Sequence, residues 1–332
     1  MGERSAIEWT DHTINMWIGC TKISPGCDFC YAERDFGSGG RFDRVEWGAH
    51  GSRSLVTSWR VVLARIAKKA AVAGRRERVF VNSLSDWADN HGSITSGRRG
   101  EIFEAAKHYP HLDFLLLTKR PQNMARFLPD DWGDGYPNVW LGISAENQDE
   151  MERRAPILLS TPAARRWLSA EPMLGPMNLF KLREASGLTF NALSKKTGVS
   201  FRGQGLDWVV AGGESGAQAR PIHPDWLRAL RDQCDLANVP FFFKRWGEWG
   251  PDEGGENQAT DPIWEGRTRA AAWNGATPLS AGEWVFAQSG YDLPTDAGVG
   301  EWVYRLGVKR NGRALDGRTH DAVPAARERM AA

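Results

Sequence analysis

The sequence has no excess of charge of either sign and no long apolar run. Its 42 Lys and Arg residues nearly balance 41 Asp and Glu residues, which gives a net charge of +1. This balance excludes a histone-like protein that binds nucleic acid through bulk charge. No apolar run approaches the ~18 residues of a membrane-spanning helix. Asp11 and His12 interrupt the apolar segment that a secretory signal peptide would need. We therefore expect a cytoplasmic protein with no membrane partner.

Cysteine and tyrosine are also scarce, with 4 and 5 residues, whereas tryptophan is abundant, with 16. Disulfide scaffolds are short, secreted and rich in cysteine, and this chain of 332 residues is not of that kind. Cys20, Cys27 and Cys30 lie within one short stretch. Clustered cysteines in a cytosolic chain indicate a metal site or redox chemistry. Cys234 lies on the apolar stripe of a predicted helix and is interpreted as a core residue.

The composition, with 41% apolar and 25% charged residues, is that of a folded globular protein. Short apolar strands are followed by polar clusters and then by helical stretches. Near-continuous apolar strands are typical of a parallel sheet that is buried on both faces. The pattern therefore predicts an α/β protein with a complete or partial (β/α) barrel, and an open doubly wound sheet is the alternative. The predicted strands are residues 14–18, 79–81, 114–117, 139–143, 167–168, 208–211 and 241–243.

Helices are predicted where apolar residues recur three or four positions apart. Such patterns cover residues 54–73, 100–108 and 224–237. Gly74 provides a stop signal for the first of these helices, and Pro224 lies near the start of the last. Helices that alternate with strands in this way imply right-handed crossover units.

We expect three parts along the chain. Residues 1–247 are predicted to form the barrel core, with the cysteine loop at residues 20–30 and a helical insertion at residues 177–205. Residues 248–300 are rich in Gly, Asp and Trp and are predicted to be an irregular insertion, either without regular structure or with a few short strands. Residues 301–332 are predicted to hold a C-terminal strand and a basic tail.

Polar and charged residues follow most of the predicted strands. The carboxyl ends of parallel strands meet at one edge of a barrel or doubly wound sheet, and ligands bind at that edge. For each single residue, a capping or ion-pairing role is the alternative. The residues expected at this edge are Lys119, Arg120, Ser144, Glu146, Glu171, Gly212, Gly213, Glu214 and Lys244.

The first three cysteines form a Cys-x6-Cys-x2-Cys motif within CTKISPGCDFCYAE. Pro25 and Gly26 can fold the spacer so that Cys20 meets the other two cysteines. Three soft, anionic thiolates suit a 4Fe–4S cluster and leave one iron open for chemistry. The alternative is a structural zinc site completed by His12 or by a more distant histidine.

This motif resembles that of radical S-adenosylmethionine (SAM) enzymes, Cys-x3-Cys-x2-Cys with an aromatic residue before the last cysteine, a position that Phe29 occupies. The chain is closer still to a phage-associated family of unknown function with a three-cysteine motif. The matching pieces, in chain order within residues 17–317, are WIGCTKISPGCDFCYAE, LLLTKRP, LGISAENQ, LSAEPMLGP, WVVAGGESG, ARPIHPDW, FFFKRWGEW and GVKRNGRALDG. The chain departs from the radical SAM pattern in two ways. Its first spacer has six residues, and the Gly-Gly-Glu element that normally follows the second strand occurs late, at residues 212–214.

The resemblance implies a radical SAM-type barrel in which Cys20, Cys27 and Cys30 hold a 4Fe–4S cluster whose open iron binds SAM. In such enzymes, one-electron reduction cleaves a C–S bond of SAM and releases a 5′-deoxyadenosyl radical, which abstracts hydrogen from a substrate. This chemistry requires an electron donor. Phe29 would pack near the adenine of SAM.

From the residues themselves, we expect the carboxylates to hold an ammonium group or ribose hydroxyls, and the cations to attract a carboxylate or phosphate. The predicted SAM-binding residues besides Phe29 are Ser144, Glu146, Glu171, Gly212, Gly213 and Glu214. The predicted substrate-binding residues are Lys119, Arg120 and Lys244.

The phage association favours nucleic acid as the substrate, for modification or repair. Residues 75–78 and 309–318 are basic, and the indoles of Trp246, Trp249, Trp264 and Trp273 are candidates for stacking on bases. The alternative function is a non-enzymatic nucleic-acid-binding protein whose three-cysteine loop holds a structural zinc or a redox-sensing cluster.

Overall fold

The computed structural model describes residues 3–251, 270–287 and 302–325. This part of the chain forms fifteen strands and seven α-helices. In chain order the strands are β1 (His12–Ile14), β2 (Trp17–Ile18), β3 (Ser54–Leu55), β4 (Glu77–Val81), β5 (Leu112–Thr118), β6 (Val139–Ser144), β7 (Arg165–Ala170), β8 (Leu182–Arg183), β9 (Thr189–Phe190), β10 (Trp208–Ala211), β11 (Phe241–Phe243), β12 (Gly250–Pro251), β13 (Ala270–Trp273), β14 (Trp284–Phe286) and β15 (Val303–Tyr304). The helices are α1 (Tyr31–Phe36), α2 (Trp59–Ala73), α3 (Ser96–His108), α4 (Met124–Phe127), α5 (Gln148–Ser160), α6 (Pro224–Ala237) and α7 (Val308–Asn311).

Seven parallel strands form the main sheet, in which the order β1-β4-β5-β6-β7-β10-β11 follows the chain. Its strands are almost continuously buried, as their apolar runs predict. The helices α2, α3, α5 and α6 pack against the outer face of the sheet. Doubly wound sheets reverse their strand order at a switch point, and this sheet does not. The α/β class and the partial barrel are therefore confirmed, and the doubly wound alternative is wrong.

The helix α2 was predicted from the spacing of its apolar residues and from the glycine that follows it. Its buried residues are Trp59, Leu63, Ile66, Ala67 and Ala70. The helix ends where Gly74 adopts a left-handed conformation at φ 65°. It begins later than predicted because Ser54–Leu55 pairs with β2 as a strand. None of the described helices combines the length and the apolar character needed to cross a membrane.

Trp9, just before β1, indicates that the main sheet curls into a half-barrel. Its ring centroid lies 4.7 Å from that of Phe80 on β4 and 6.3 Å from that of Trp208 on β10. In a flat sheet, strands four positions apart would be separated by about 19 Å, at ~4.8 Å per strand. One indole contacts both because the sheet wraps around it. At the open side, Arg245 after β11 lies 2.7 Å from Glu8 before β1.

Alternate residues of each strand point into the half-barrel and form two layers. The lower layer is apolar and rich in indoles, and the upper layer lies at the carboxyl ends of the strands. The lower layer consists of Trp9, Phe80, Leu115, Trp140, Trp167, Trp208, Val210 and Phe242. The last inward positions, at or just after the carboxyl ends of the strands, form what we call the polar layer: Lys119, Ser144, Glu171, Gly212 and Lys244.

Gly142 on β6 makes room for the indole of Trp167, since a Cβ at this position would lie 2.4 Å from the ring. We expect Gly142→Ala to lower the free energy of unfolding by about 1–3 kcal/mol, because a buried ring must shift. Gly100 in α3 is the matched control, as a Cβ there would meet open space. Gly100→Ala should stabilise the helix by about 0.5–1 kcal/mol. Urea unfolding measures both effects, and the same sign for both changes would contradict this packing.

The helical insertion predicted at residues 177–205 is wrong. The segment contains the hairpin of β8 and β9 together with turns, and no helix. Asn178 Oδ1 accepts hydrogen bonds from the backbone N–H groups of Phe180 and Lys181, and Asn191 makes a similar turn. Such local bonds compete with helical backbone bonds, which is why this polar segment turns instead.

A second, antiparallel sheet has the strand order β12-β15-β13-β14. Three of its strands, each of two to four residues, lie within residues 248–300, where an irregular insertion with room for a few short strands was predicted. These strands form because Ala271 and Val303 bury against Trp249. Residues 252–269 and 288–300 of that insertion, and Arg327 and Arg329 of the basic tail, lie outside the described residues. The predicted C-terminal strand is β15, which pairs on both sides with β12 and β13.

Candidate functional site

The three clustered cysteines lie on a loop that follows β2 and crosses the carboxyl ends of the main sheet. We call residues 20–30 the cysteine loop. A 3₁₀ turn at Pro25–Cys27 precedes Cys30, which is the residue before α1. All three thiols are free and half-buried. Contacts described below join the loop to the segments after β5, β6 and β10, so it lies at the edge predicted to bind ligands.

Burial raises the pKa of two of the three thiols. It raises the pKa of Cys20 to about 12, although the charge of Arg120 acts in the opposite direction. Burial also raises the pKa of Cys30, against the effect of backbone N–H groups of α1. Among the described residues, no group of three or more His, Cys, Asp or Glu side chains is placed to hold a metal ion. Metal uptake would require the thiols to lose their protons.

Arg120, predicted to bind substrate, contacts a cysteine instead. Its Nη1 donates hydrogen bonds to Cys20 Sγ at 3.3 Å and to Asp86 Oδ2 at 3.0 Å. Its Nη2 donates to the carbonyl oxygen of Thr21. The side chains of Arg120 and Asp86 are only 6% and 8% exposed. The structure therefore places this guanidinium on the cysteine loop and away from solvent.

Glu146, predicted to bind SAM, supports the cysteine loop. Its Oε1 accepts a hydrogen bond from the backbone N–H of Gly26 at 2.9 Å. Its Oε2 lies 3.0 Å from Nη1 of Arg154, and the two side chains are 0% and 1% exposed. Burial raises the pKa of Glu146, but Lys119 and Arg154 outweigh it, so the net shift is downward. Because solvent does not reach this carboxylate, its role here is to hold the loop.

Arg220 binds the other side of the cysteine loop, and no strand-end pattern in the sequence singled it out. Its Nη2 lies 2.7 Å from Oε1 of Glu214. The guanidinium donates to the carbonyl oxygen of Pro25 at 2.9 Å and to Asp28 Oδ2 at 3.1 Å. It also lies 4.9 Å from the ring centroid of Phe29. Glu214 and Phe29, both predicted to bind SAM, thus contact Arg220 and help to fix the loop.

The polar layer connects four side chains predicted to bind ligands. Lys119 Nζ donates to Ser144 Oγ at 2.7 Å, and this hydroxyl donates to the carbonyl oxygen of Glu171 at 3.1 Å. Lys244 Nζ lies 3.0 Å from Oε2 of Glu171. Oε1 of Glu171 is buried and has no hydrogen-bond partner in the described part of the chain. A Cβ on Gly212 would lie 3.3 Å from this oxygen, so the glycine leaves space beside it.

Gly213 and Gly212, predicted to bind SAM, both use their backbone N–H groups within the fold. The N–H of Gly213 donates to the carbonyl oxygen of Arg245 at 3.0 Å, and that of Gly212 donates to Ala170 at 3.2 Å. A Cβ on Gly213 would lie 1.8 Å from the carbonyl oxygen of Trp246. Glycine is needed there because two backbone segments approach each other closely.

A second buried arginine also binds the cysteine loop. Arg53 Nε lies 2.7 Å from Asp89 Oδ2, with side chains 0% and 3% exposed. Arg53 Nη2 donates to Thr21 Oγ1 at 2.8 Å, and its Nη1 donates to the carbonyl oxygens of Gly48 and Gly51. Thr21 is therefore held by Arg53 as well as by Arg120.

His12, the nearer candidate for a fourth zinc ligand, is paired elsewhere. It lies on β1, and its Nε2 is 2.6 Å from Oε2 of Glu77. Both side chains are buried, at 8% and 7% exposure. The other ring nitrogen of His12, Nδ1, is buried and has no hydrogen-bond partner in the described part of the chain. The pair with Glu77 therefore does not exclude His12 as a zinc ligand, since histidines that bind metals often donate their other ring N–H to a carboxylate.

The features expected to contact nucleic acid are mostly occupied within the fold. Trp246, Trp249 and Trp273 are 2%, 3% and 6% exposed, so the described indoles among the candidates cannot stack on bases. Trp264 lies outside the described residues. The three arginines within residues 75–78 each form an ion pair with a carboxylate of this chain.

Comparison with known proteins identifies one family. The family model described as "Protein of unknown function (DUF5131)" matches residues 4–324. No curated protein and no solved structure matches the chain.

Proposed function

We propose that this chain, which belongs to the DUF5131 family of proteins of unknown function, is a radical SAM-like iron–sulfur enzyme that binds SAM and cleaves it reductively. One observation carries the proposal: the cysteine loop lies beside a polar layer in which Glu171 keeps a buried carboxylate oxygen without a hydrogen-bond partner among the residues that the structure describes. The cysteines would hold a 4Fe–4S cluster, and the polar layer would hold SAM.

The cysteine loop and the polar layer lie within electrostatic range of each other. Burial raises the pKa of Cys30, and Lys119 of the polar layer acts in the opposite direction. Hydrogen bonds also connect the two groups: Asp86 Oδ2 accepts from the backbone N–H of Lys119 at 3.1 Å and from Arg120 Nη1 at 3.0 Å, and Arg120 Nη1 also donates to Cys20 Sγ at 3.3 Å.

The donor set fits a 4Fe–4S cluster. Thiolates are soft, anionic ligands for iron, and Cys20, Cys27 and Cys30 would leave one iron without a protein ligand. The buried Glu146 fixes the loop through Gly26, and the partly exposed Arg220 fixes it through Pro25. When bound, the cluster supplies one electron that breaks a C–S bond of SAM, so an external electron donor is needed.

Glu171 is suited to bind the ammonium group of SAM. Leaving a buried acceptor without a partner costs ~1–3 kcal/mol, and an ammonium donor at Oε1 would recover this cost. Lys244 already neutralises the other oxygen of the same carboxylate. Lys119 and Lys244 place two ammonium groups in the polar layer, which suits the carboxylate of SAM. The indole layer below excludes water and so strengthens these interactions.

We retain nucleic acid as the proposed substrate class. Phe42, in the segment after α1, is 47% exposed, and its ring centroid lies 4.8 Å from that of Phe36. The guanidinium carbon of Arg41 lies 5.2 Å from the ring centroid of Phe42. Exposed rings beside arginines are typical of surfaces that bind single-stranded nucleic acid.

Glu171→Gln tests the proposed role of the polar layer. The anaerobically reconstituted wild type should form 5′-deoxyadenosine from SAM when dithionite is added. The variant should keep its iron but raise the KM for SAM roughly tenfold or more, because a hydrogen bond to a charged group contributes ~1.5–3 kcal/mol. Glu104→Gln, on the exposed side of α3, is the control and should leave the KM unchanged.

Two results would contradict this proposal separately. If the iron-loaded wild type never forms 5′-deoxyadenosine, SAM cleavage is wrong. If Glu171→Gln binds SAM as the wild type does, the unpaired oxygen has another role. Single-stranded DNA or RNA added to the same assay should accelerate product formation, and no effect of either would argue against nucleic acid as the substrate.

A further inference from the structure

We infer that Arg120 is a positioning residue that raises the reduction potential of the cluster through its hydrogen bond to Cys20. The inference rests on the proposed function, because it requires a cluster at the cysteine loop. It assigns Arg120 to electron transfer and not to substrate binding. The geometry that carries it is the 3.3 Å contact between Arg120 Nη1 and Cys20 Sγ.

The guanidinium of Arg120 is fixed from several sides. Its Nη1 also donates to Asp86 Oδ2 at 3.0 Å, and its Nη2 donates to the carbonyl oxygen of Thr21. Asp86 is fixed in turn, since Thr118 Oγ1 donates to its Oδ1 at 2.6 Å and the backbone N–H of Lys119 donates to its Oδ2 at 3.1 Å. The donor therefore remains beside the sulfur of Cys20.

A cationic donor beside a cluster ligand favours the reduced cluster. Reduction adds one electron from an external donor and increases the negative charge on the cluster and its sulfur ligands. Hydrogen bonds to ligand sulfurs stabilise that charge, and burial strengthens the effect. Arg120 Nη1 is bonded to both the sulfur and the Asp86 carboxylate. The positive end of this ion pair therefore faces Cys20.

Arg53 provides a matched comparison within the same loop. Like Arg120, it is buried, forms an ion pair with an aspartate and contacts Thr21. Its hydrogen bonds go to oxygen atoms of Asp89, Thr21, Gly48 and Gly51. The two arginines thus share a structural role, and Arg120 adds the contact with sulfur.

Two double variants separate a redox role from a structural one. Asp86→Asn/Arg120→Met and Arg53→Met/Asp89→Asn each remove one buried ion pair without changing the net charge. Because each double variant removes both charges of its pair, neither partner is left as an unpaired buried charge, and we expect both variants to fold. The midpoint potential of each reconstituted protein is measured by redox titration without SAM, with the EPR signal of the reduced cluster as the readout.

We expect the Asp86/Arg120 variant to have the lower potential, by about 59 mV or more, which is a tenfold change in a one-electron equilibrium. The Arg53/Asp89 variant should keep the wild-type potential. Equal potentials in all three proteins, or equal shifts in both variants, would overturn the inference.

A measurement on the wild type does not depend on the folding of any variant. Protein made with heavy-nitrogen arginine should show a weak nitrogen coupling to the reduced cluster in pulsed EPR, because Arg120 Nη1 donates to Cys20 Sγ. Absence of this coupling would overturn the inference while leaving SAM cleavage untouched. If the wild type forms no iron–sulfur cluster at all, both the inference and the proposed function are wrong.

Discussion

Replacing Cys27 with alanine should abolish retention of iron by the anaerobically reconstituted protein. Two remaining thiolates cannot hold a cubic cluster that needs three protein ligands. Iron analysis and the absorption spectrum measure the loss. We expect a colourless protein with a free energy of unfolding close to that of the metal-free wild type.

Cys234→Ala is the matched control for this change. Cys234 is fully buried in the outer core on α6, and burial raises the pKa of its thiol. The substitution should keep the iron and cost about 1 kcal/mol of stability through lost packing. Equal loss of iron from Cys27→Ala and Cys234→Ala would mean that the ligands are misassigned.

Glu146→Ala should have the largest effect on stability. Removing one partner of a buried ion pair costs ~3–5 kcal/mol, because the other charge is left uncompensated. We expect about 3 kcal/mol, the lower end of that range, since Arg154 keeps an ion pair with Glu150 at 2.6 Å. The variant should also retain less iron, because Gly26 of the cysteine loop loses its hydrogen bond. Urea unfolding and iron analysis measure the two effects.

Arg153→Ala provides the control on the same helix. Arg153 also pairs with Glu150, but its side chain is 57% exposed. Exposed pairs contribute ~0–1 kcal/mol, so this change should leave both stability and iron content nearly unchanged. Similar unfolding curves for Glu146→Ala and Arg153→Ala would show that the Glu146–Arg154 pair does not hold the loop.

The same carboxylate predicts a pH dependence. Although burial raises the pKa of Glu146, Lys119 and Arg154 lower it more, so its folded pKa lies below the unfolded value. The contribution of Glu146 to the free energy of unfolding is therefore fully present above the unfolded pKa of ~4.3. It is lost as the pH falls through the folded pKa.

The main sheet and its polar edge were predictable because both depend on local patterns. Apolar runs such as residues 114–117 are buried wherever a parallel sheet is covered on both faces. The residue after such a run lies at the carboxyl edge, whatever its partner is. This is why Lys119, Ser144, Glu171 and Lys244 meet in one polar layer as expected.

The roles of individual charges were less predictable because they depend on partners far away in the chain. Glu146 bonds to Gly26 across 120 positions, and Arg220 bonds to Pro25 across 195. A strand-end position marks Glu146 as a ligand candidate but cannot show that the cysteine loop covers it. Arg220 had a usable signal, since it lies in the quoted piece ARPIHPDW.

The helix prediction for residues 177–205 was wrong for a local reason, since side-chain hydrogen bonds within the segment prevent the helices. Its residues read as helix formers around a turn, but Asn178 and Asn191 bind nearby backbone N–H groups and fold the chain into turns and a short hairpin. The sequence shows the asparagines that can form such bonds. In the folded chain, these bonds to the backbone outweigh the tendency of the segment to form helices.

The most direct test of the account is the iron and sulfide content of the anaerobically reconstituted wild type, together with its EPR spectrum before and after SAM is added. The account predicts about four irons and about four sulfides per chain, and a reduced-cluster signal that changes when SAM binds. A colourless protein with one zinc, or a cluster whose EPR signal does not change when SAM is added, would contradict the proposed function.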